Sequence, residues 1–272
     1  MKAPIGATNL DCAARFRGRA LSYDSRGKAL PVMTSTFVET WRGPFTSGDY
    51  LINDDSLTHV VNTSLREGRS AAILVESSGT TRVVVRPEAA RSCGWDAANV
   101  PSSLDQVREG LMANGVILND PDCIFGFAGL DLSSRAGEAE GIIIRELNEN
   151  DAAAFSQFVS HSSEDDVDEA YVELDHWLVM GLFAGDQLAS ASSAYPWGET
   201  KAADVGILTA EDHRGKGYGS LLVNAISHAI RQRGYEPQYR CQLENVASAG
   251  TARASGFELF GMWEIAEFAQ ND

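Results

Sequence analysis

Along the second half of the chain the apolar positions switch repeatedly between strand and helix periods. "GIIIREL" and "ADVGILTA" are apolar runs of strand length. Between them, Asn148 to Ser160 has helical spacing, with an N-cap at Asn148 or Asn150. A short acidic helix is predicted around Glu164 to Tyr171. "HWLVMGLFAGDQLASASSAYPW" predicts a hairpin that turns at Ala184-Gly185-Asp186-Gln187. From Ser220 to Arg233 the pairs Leu221/Leu222, Ala225/Ile226 and Ala229/Ile230 keep one apolar face, which predicts a helix ended by Gly234. "PQYRCQLE" reads as a strand, Val246 to Ser255 as a short helix, and "FELFGMWEIAEF" as a closing strand pair. The alternation predicts an α/β fold, a mixed sheet with helices on its faces.

The first half reads as a smaller α/β segment. Leu57, Val60, Val61 and Leu65 have helical spacing, so Ser56 to Glu67 is predicted as a helix stopped by Gly68. "AAILVESSGTTRVVVRP" predicts two strands around a Ser-Ser-Gly turn. Ser103 and Gln106 form a capping-box pattern before a helix with Leu104, Val107, Leu111 and Met112 on one face, closed by Gly115. The small, polar stretch "SSRAGEAEG", Ser133 to Gly141, is the linker candidate. The expected organisation is a domain over residues 1–136 and a second over 141–272. The first contains no glycine loop, acid–base pair or metal spacing, and its role is unassigned.

Charge and cysteines narrow the function classes. Residues 1–140 carry 14 Lys plus Arg and 17 Asp plus Glu, whereas residues 141–272 carry 8 and 21. The second half is a poor partner for nucleic acid or an anionic membrane and attracts cations. The longest apolar runs, "WLVMGLFA" among them, are too short to span a bilayer. "MKAPIGATNLDCAARFRGRAL" lacks the unbroken apolar stretch of a signal peptide. Cys12, Cys93, Cys123 and Cys241 form no CxxC and no metal cluster. Free thiols in a reducing cytoplasm, with no metal cofactor, are the expectation.

"HRGKGYGS", His213 to Ser220, joins a predicted strand to a predicted helix. Glycines let a main chain approach a ligand closely, and the first N–H groups of a helix suit a phosphate. Arg214 and Lys216 add positive charge. A Walker loop would need Ser or Thr where Gly217 stands, and a dinucleotide fingerprint would need glycine at Ser220. The remaining pattern is Arg214-x-x-Gly217-x-Gly219. Asn245 is followed eleven and twelve residues later by Gly256-Phe257. With the order of elements from Gly141 to Phe268, these residues resemble the GNAT superfamily of acyl-CoA-dependent N-acetyltransferases. The resemblance covers about half of the chain and leaves residues 1–140 aside.

The resemblance implies a V-splayed sheet with acetyl-CoA between the strands Asp204–Thr209 and Gln238–Leu243. Main-chain groups of Ile207, Leu208 and Thr209 would pair with the pantetheine. An N–H near Leu208 would polarise the thioester carbonyl. Gly215, Lys216, Gly217, Tyr218, Gly219 and Ser220 would cradle the diphosphate beside Arg214, and Asn245 would hold the pantetheine arm. Asp204 is the first candidate for accepting the amine proton, with Glu173 and Asp175 as alternatives. The family's usual leaving-group tyrosine, seven residues after the asparagine, is Ala252 here. Ser248, or a water it positions, is the substitute candidate.

Seven acids lie between Glu164 and Asp175 with no base among them. They read either as a solvated acidic face or as the border of an acceptor cleft for a cation. His176, Trp177, Tyr195 and Trp197 are candidates for an aromatic wall that holds an ammonium, with core packing as the other reading. The sequence therefore leads to an acetyl-CoA-dependent N-acetyltransferase for a small or peptidic cationic amine: an aminoglycoside-like antibiotic, a polyamine or a basic peptide. The alternative is a non-catalytic acyl-CoA sensor, because of Ala252. The first domain has three open roles: shaping the cleft, mediating homodimerisation, or standing as a degenerate copy of the same fold.

Overall fold

A computed structural model describes residues 33–65, 68–130, 132 and 141–268. The amino-terminal stretch with Cys12 and the linker residues 133–140 lie outside the described residues. By its contacts the chain divides into two compact units. One is built on Trp41–Ile124 and the chain from Leu259 onward, the other on Phe125–Glu258. The segment expected to act as one domain from residue 141 thus stays in the second unit as far as Glu258.

The early elements are helix α1 (Ser35–Arg42), strands β1 (Asp49–Asn53), β2 (Leu57–Val61), β3 (Arg69–Glu76) and β4 (Thr81–Val85), helices α2 (Pro87–Ser92) and α3 (Leu104–Ala113), and strands β5 (Val116–Leu118) and β6 (Asp122–Phe127). Next come β7 (Ile142–Glu146), α4 (Ala152–Ser160), α5 (Glu164–Ala170), β8 (Leu178–Ala184), β9 (Gln187–Pro196) and β10 (Ala202–Thr209). The chain then forms α6 (Tyr218–Gln232), β11 (Glu236–Gln242), α7 (Val246–Ala254) and β12 (Phe257–Phe268).

In the first unit β2 pairs with β1 antiparallel and with β4 in parallel. β3 pairs antiparallel with β4 and with β12, and β5 lies along β12. Leu57, Ile73, Val83, Val85, Val107, Leu111 and Ala266 share one core. Ser103 caps α3 by accepting the Gln106 N–H, while the Gln106 side chain accepts from Ser102 rather than from the cap residue itself. Two carboxylates are buried with their counter-charges: Glu76 between Arg42 and Arg82, and Glu264 against Arg108.

Two expectations are corrected here. The helix expected over Ser56–Glu67 is not formed in the described part, which ends at Leu65; its apolar start is β2. Leu57 to Val60 are buried on both faces of the strand, so no polar alternation marks it, and Val60 and Val61, three and four residues after Leu57, mimic a helical stripe. "FELFGMWEIAEF" is one strand, not two. Gly261 does not turn the chain. It lets β3 approach, because a Cβ there would stand 2.6 Å from the Val75 carbonyl oxygen.

In the second unit the spatial order is β7-β8-β9-β10-β11. All neighbours are antiparallel except β10 and β11, which run parallel. The β8–β9 hairpin turns as expected, with Gly185 at φ 63°. This is a mixed open sheet with helices on its faces. Leu147, Phe158, Val172, Val179, Phe183 and Leu208 form one core under α4 and α5. α6 packs on β8, β9 and β10 through Leu222, Ile226 and Ile230. Asn224 is a polar clip inside this packing. Its amide donates to the carbonyls of Leu130 and Ser255, and its oxygen accepts the Leu132 N–H at 3.2 Å. Among the described residues no helix is long and apolar enough to cross a membrane.

Two predictions follow from buried polar groups. His59 on β2 is fully buried, edge-on to Trp95, and both ring nitrogens lack a hydrogen-bond partner. Burial lowers its pKa to about 4. As pH falls through about 6.5 the unfolded chain takes up a proton that the folded chain refuses until about pH 4, so stability drains across that window. Between pH 7.5 and 4 the wild type is expected to lose on the order of 3 kcal/mol more than His59→Leu in urea unfolding. Equal losses would refute this reading. Asn224→Ala should cost about 2–4 kcal/mol, because the Leu132 N–H and the Ser255 carbonyl lose this partner and the Leu130 carbonyl is left with His228, and calorimetry would show a lower midpoint.

Candidate active site

The parallel pairing of β10 with β11 covers only Ala202↔Glu236, Ala203↔Pro237 and Asp204↔Gln238. Both strands run on, to Thr209 and Gln242, but they part. Between them opens a cavity of about 770 Å³, lined also by the 213–220 loop and the start of α7.

Strand alternation decides which main-chain groups face it. Trp197 donates to the Ala202 carbonyl and Ala210 to the Ala189 carbonyl. In the unbroken β9–β10 register between them, even-numbered residues of β10 therefore pair with β9. Odd-numbered residues use the other edge, as the Glu236 N–H on the Lys201 carbonyl shows. Ile207 and Thr209 turn their main chain to the cleft. Leu208, expected to do the same, does not: its main chain faces β9, and its carbonyl also accepts the Ser190 hydroxyl at 2.9 Å.

After β10 a short turn, Glu211–His213, leads into the glycine loop. Gly215 and Gly217 take φ of 74° and 80°, a left-handed backbone that L side chains rarely adopt. Gly217 stands at the N-cap position, so α6 opens at Tyr218, two residues earlier than its apolar stripe suggested. The first intrahelical bond runs from Leu221 to Gly217, which leaves the preceding N–H groups at the positive end of the helix. Gly219 lets this helix end approach β10: a Cβ there would stand 3.2 Å from Thr209 Oγ1. Arg214 is fixed by its Nε on the Thr209 carbonyl, 3.1 Å, and its guanidinium meets Asp166 of α5 at 3.0 Å. Lys216 lies outside the lining, beside His213 and over the Tyr218 ring.

Across the cleft, Asn245 caps α7 by accepting the Ser248 N–H at 2.9 Å, and its amide donates to Glu169 of α5. The Ser248 hydroxyl is 2.8 Å from the Tyr239 hydroxyl. Burial pushes the Tyr239 phenol up to about 12, so it keeps its proton. Ala252 is fully buried and brings no hydroxyl.

Asp204 does line the cleft, but not as an open proton acceptor. Its Oδ1 accepts from Gln238 at 2.8 Å and from Arg240 Nε at 3.0 Å, and its Oδ2 from Arg240 at 2.9 Å. Three donors and 5% exposure commit this carboxylate to a bridge between the strands where they fork.

Of the aromatic candidates, Tyr195 lines the cleft. His176 packs behind it, ring to ring at 5.0 Å, with Nδ1 on the Ser193 hydroxyl at 2.8 Å. Trp197 is not brought to the site: it begins the turn between β9 and β10, where Thr200 bonds its carbonyl. Glu173 and Asp175 are exposed and outside the lining; Glu173 lies 3.6 Å from the His176 ring. Burial is also the main reason the Tyr195 phenol titrates above its usual range.

Tyr171, Tyr239 and Arg240 also line the cleft, outside the residues the sequence singled out. Tyr171 ends α5 in the left-handed region, φ 45°, and touches both His176 and Tyr195. Tyr239 and Arg240 are neighbours on β11 and point to opposite faces. The strand alternation of "PQYRCQLE" carried that signal: Gln238 and Arg240 share the Asp204 side, and Tyr239 the α7 side.

Comparison with known proteins bears on residues of this same unit. The family model of the acetyltransferase (GNAT) family matches residues 144–257. A search of curated proteins gives no match. Solved structures similar to the chain include a GNAT-family acetyltransferase from Colwellia psychrerythraea, 13% identical, with 79% of each chain covered and a TM-score of 0.44. A GCN5-related N-acetyltransferase-like protein from Streptococcus suis is 16% identical over 73% of this chain and 83% of its own, with a TM-score of 0.43. With a forked parallel strand pair, a glycine loop at a helix head and this family match over one segment, the chain carries a GNAT-family acetyltransferase domain at residues 144–257.

Proposed function

We propose that this domain transfers an acetyl group directly from acetyl-CoA to a primary amine of a small or peptidic cationic acceptor. The observation that carries the reading is the fork itself: β10 offers an unpaired stretch of edge to a cleft that ends at the positive head of α6. The residues fit the cofactor. Gly215 and Gly217 leave open space where side chains would stand, and α6 presents its first N–H groups to an anion. When bound, acetyl-CoA supplies an activated acetyl group and a thiolate that leaves readily.

In this proposal Gly215 to Ser220 hold the diphosphate, with Arg214 and Lys216 adding charge, and Ile207 and Thr209 hold the pantetheine as an added strand would. The Ile207 N–H is the donor aimed at the carbonyl oxygen. Asn245 fixes the start of α7 and so the place of Ser248. Ser248 donates to the thiolate. Tyr239 keeps its proton and donates to Ser248, which leaves the serine proton to point into the cleft. Asp204 holds Arg240 rather than taking the amine proton, which passes to water in the open cleft. Tyr171 and Tyr195 border the acceptor end, next to the acids of α5.

Ala252 favours one other reading, an acyl-CoA sensor that binds without transfer. Release of free thiol from acetyl-CoA across a panel of polyamines, aminoglycosides and basic peptides separates the two. Turnover with at least one amine is expected; tight binding without any turnover would leave only the sensor.

Two variants test the site. Asn tolerates a left-handed backbone, so Gly217→Asn should keep the fold and place a side chain in the cradle. Its affinity for coenzyme A should fall at least about 10-fold by calorimetry, since a filled cradle cannot seat the anion. Unchanged affinity would remove the loop from the site. Ser248→Ala should lower kcat by about 10–100-fold, and Tyr239→Phe by a smaller factor, with little change in KM. Wild-type kcat in both would exclude the hydroxyl pair from the reaction.

A further inference from the structure

The acidic helix α5 touches both walls of the cleft, one through Arg214, which the proposal gives to the diphosphate, and the other through Asn245, which starts α7. Asp166 meets the Arg214 guanidinium at 3.0 Å on the glycine-loop side. Glu169 accepts from the Asn245 amide at 3.2 Å on the α7 side. Both acids line the cavity. We infer that α5 is an acidic clasp over the cofactor cleft, whose Asp166 carboxylate occupies Arg214 until a diphosphate displaces it.

The way α5 is mounted supports this. Its carboxyl end is pinned: at Gly206 a side chain would run into the Ala170 carbonyl oxygen, so the helix end rests directly on β10. The next residue, Tyr171, is the one non-glycine residue among those described with positive φ, a strained joint at the pinned end. The rest of α5 is held by Val167 and Ala170, only partly buried against the core, and by the two contacts at the cleft. Asp166 has a second duty, since its carboxylate also receives the Ser163 hydroxyl at the helix start. The Arg214–Asp166 pair is half exposed on both sides, so it is weak enough for a ligand to replace.

Charge completes the argument. Glu164, Asp165, Asp166, Asp168 and Glu169 lie within six residues, beside an anion cradle. A diphosphate entering the loop meets repulsion from this helix and competition from Asp166 for the same guanidinium. Removing the clasp therefore strengthens cofactor binding. A helix that merely braced the site would do the reverse.

This rests on the reading of the cleft as a coenzyme A site, and the test separates the two. Coenzyme A affinity is measured by calorimetry at low salt on the full chain, the Asp166→Asn/Glu169→Gln double variant, and Glu164→Gln/Asp165→Asn. The last removes the same charge from the same helix without either contact. Asp166→Asn alone keeps the Ser163 cap on the main chain and stands in if the double variant does not fold. The clasp variant should bind coenzyme A about three- to ten-fold more tightly than wild type, the scale of two exposed polar contacts. High salt should shrink that gain. The charge-matched control should change less than about two-fold. Unchanged or weaker binding in the clasp variant, or an equal gain in the control, overturns the clasp. A wild type that binds no coenzyme A overturns the cofactor reading itself.

Discussion

Everything at the site depends on the point where two parallel strands stop pairing. β10 and β11 share three residue pairs and then separate at Asp204 and Gln238. A sheet edge exposed inside a protein would ordinarily be costly, because its N–H and C=O groups go unsatisfied. Here the fork is held by side chains. Gln238 and Arg240 of β11 reach across to Asp204 of β10 with three hydrogen bonds, so the strands stay tied at the crotch while their ends diverge. Breaking one partner of such a buried pair leaves a charge without compensation, which makes the bridge a structural requirement.

The remaining parts follow from that opening. The odd-numbered residues of β10 face the gap because the even-numbered ones are engaged with β9. The glycines at 215 and 217 turn the chain so that the α6 head points into the same gap, and Gly219 brings the helix close enough to β10 to matter. On the other wall, α7 starts at an asparagine that fixes the serine hydroxyl next to a buried tyrosine. The alanine at 252 thus does not leave the cleft without a hydroxyl: Ser248, four residues earlier on the same helix, stands next to the Tyr239 hydroxyl of β11.

Much of the second unit was legible in the sequence, because its elements are punctuated. Gly185 and Gly234 mark ends, and the change from strand period to helix period brackets the glycine loop. β2 was not legible, since a strand buried on both faces shows no alternation. Neither was the long β12, where a glycine that admits a neighbouring strand looks like a turn. Within the site, the loop and Asn245 were readable from residue type and spacing. The partners of side chains were not. Asp204 reads as an available carboxylate until Arg240, thirty-six residues away in sequence, is placed beside it. Trp197 reads as a wall until the hairpin turn takes it out. Tyr239 reads as a core tyrosine until its hydroxyl is placed beside Ser248.

The most direct measurement is amide hydrogen exchange along β10 with and without coenzyme A. Gly206 and Leu208 pair with β9 and should be protected in both states, whereas the Ile207 and Thr209 amides should gain protection only when coenzyme A is present. Ile207 and Thr209 amides that exchange at the same rate with saturating coenzyme A would contradict the claim that the forked strand edge is where the cofactor binds.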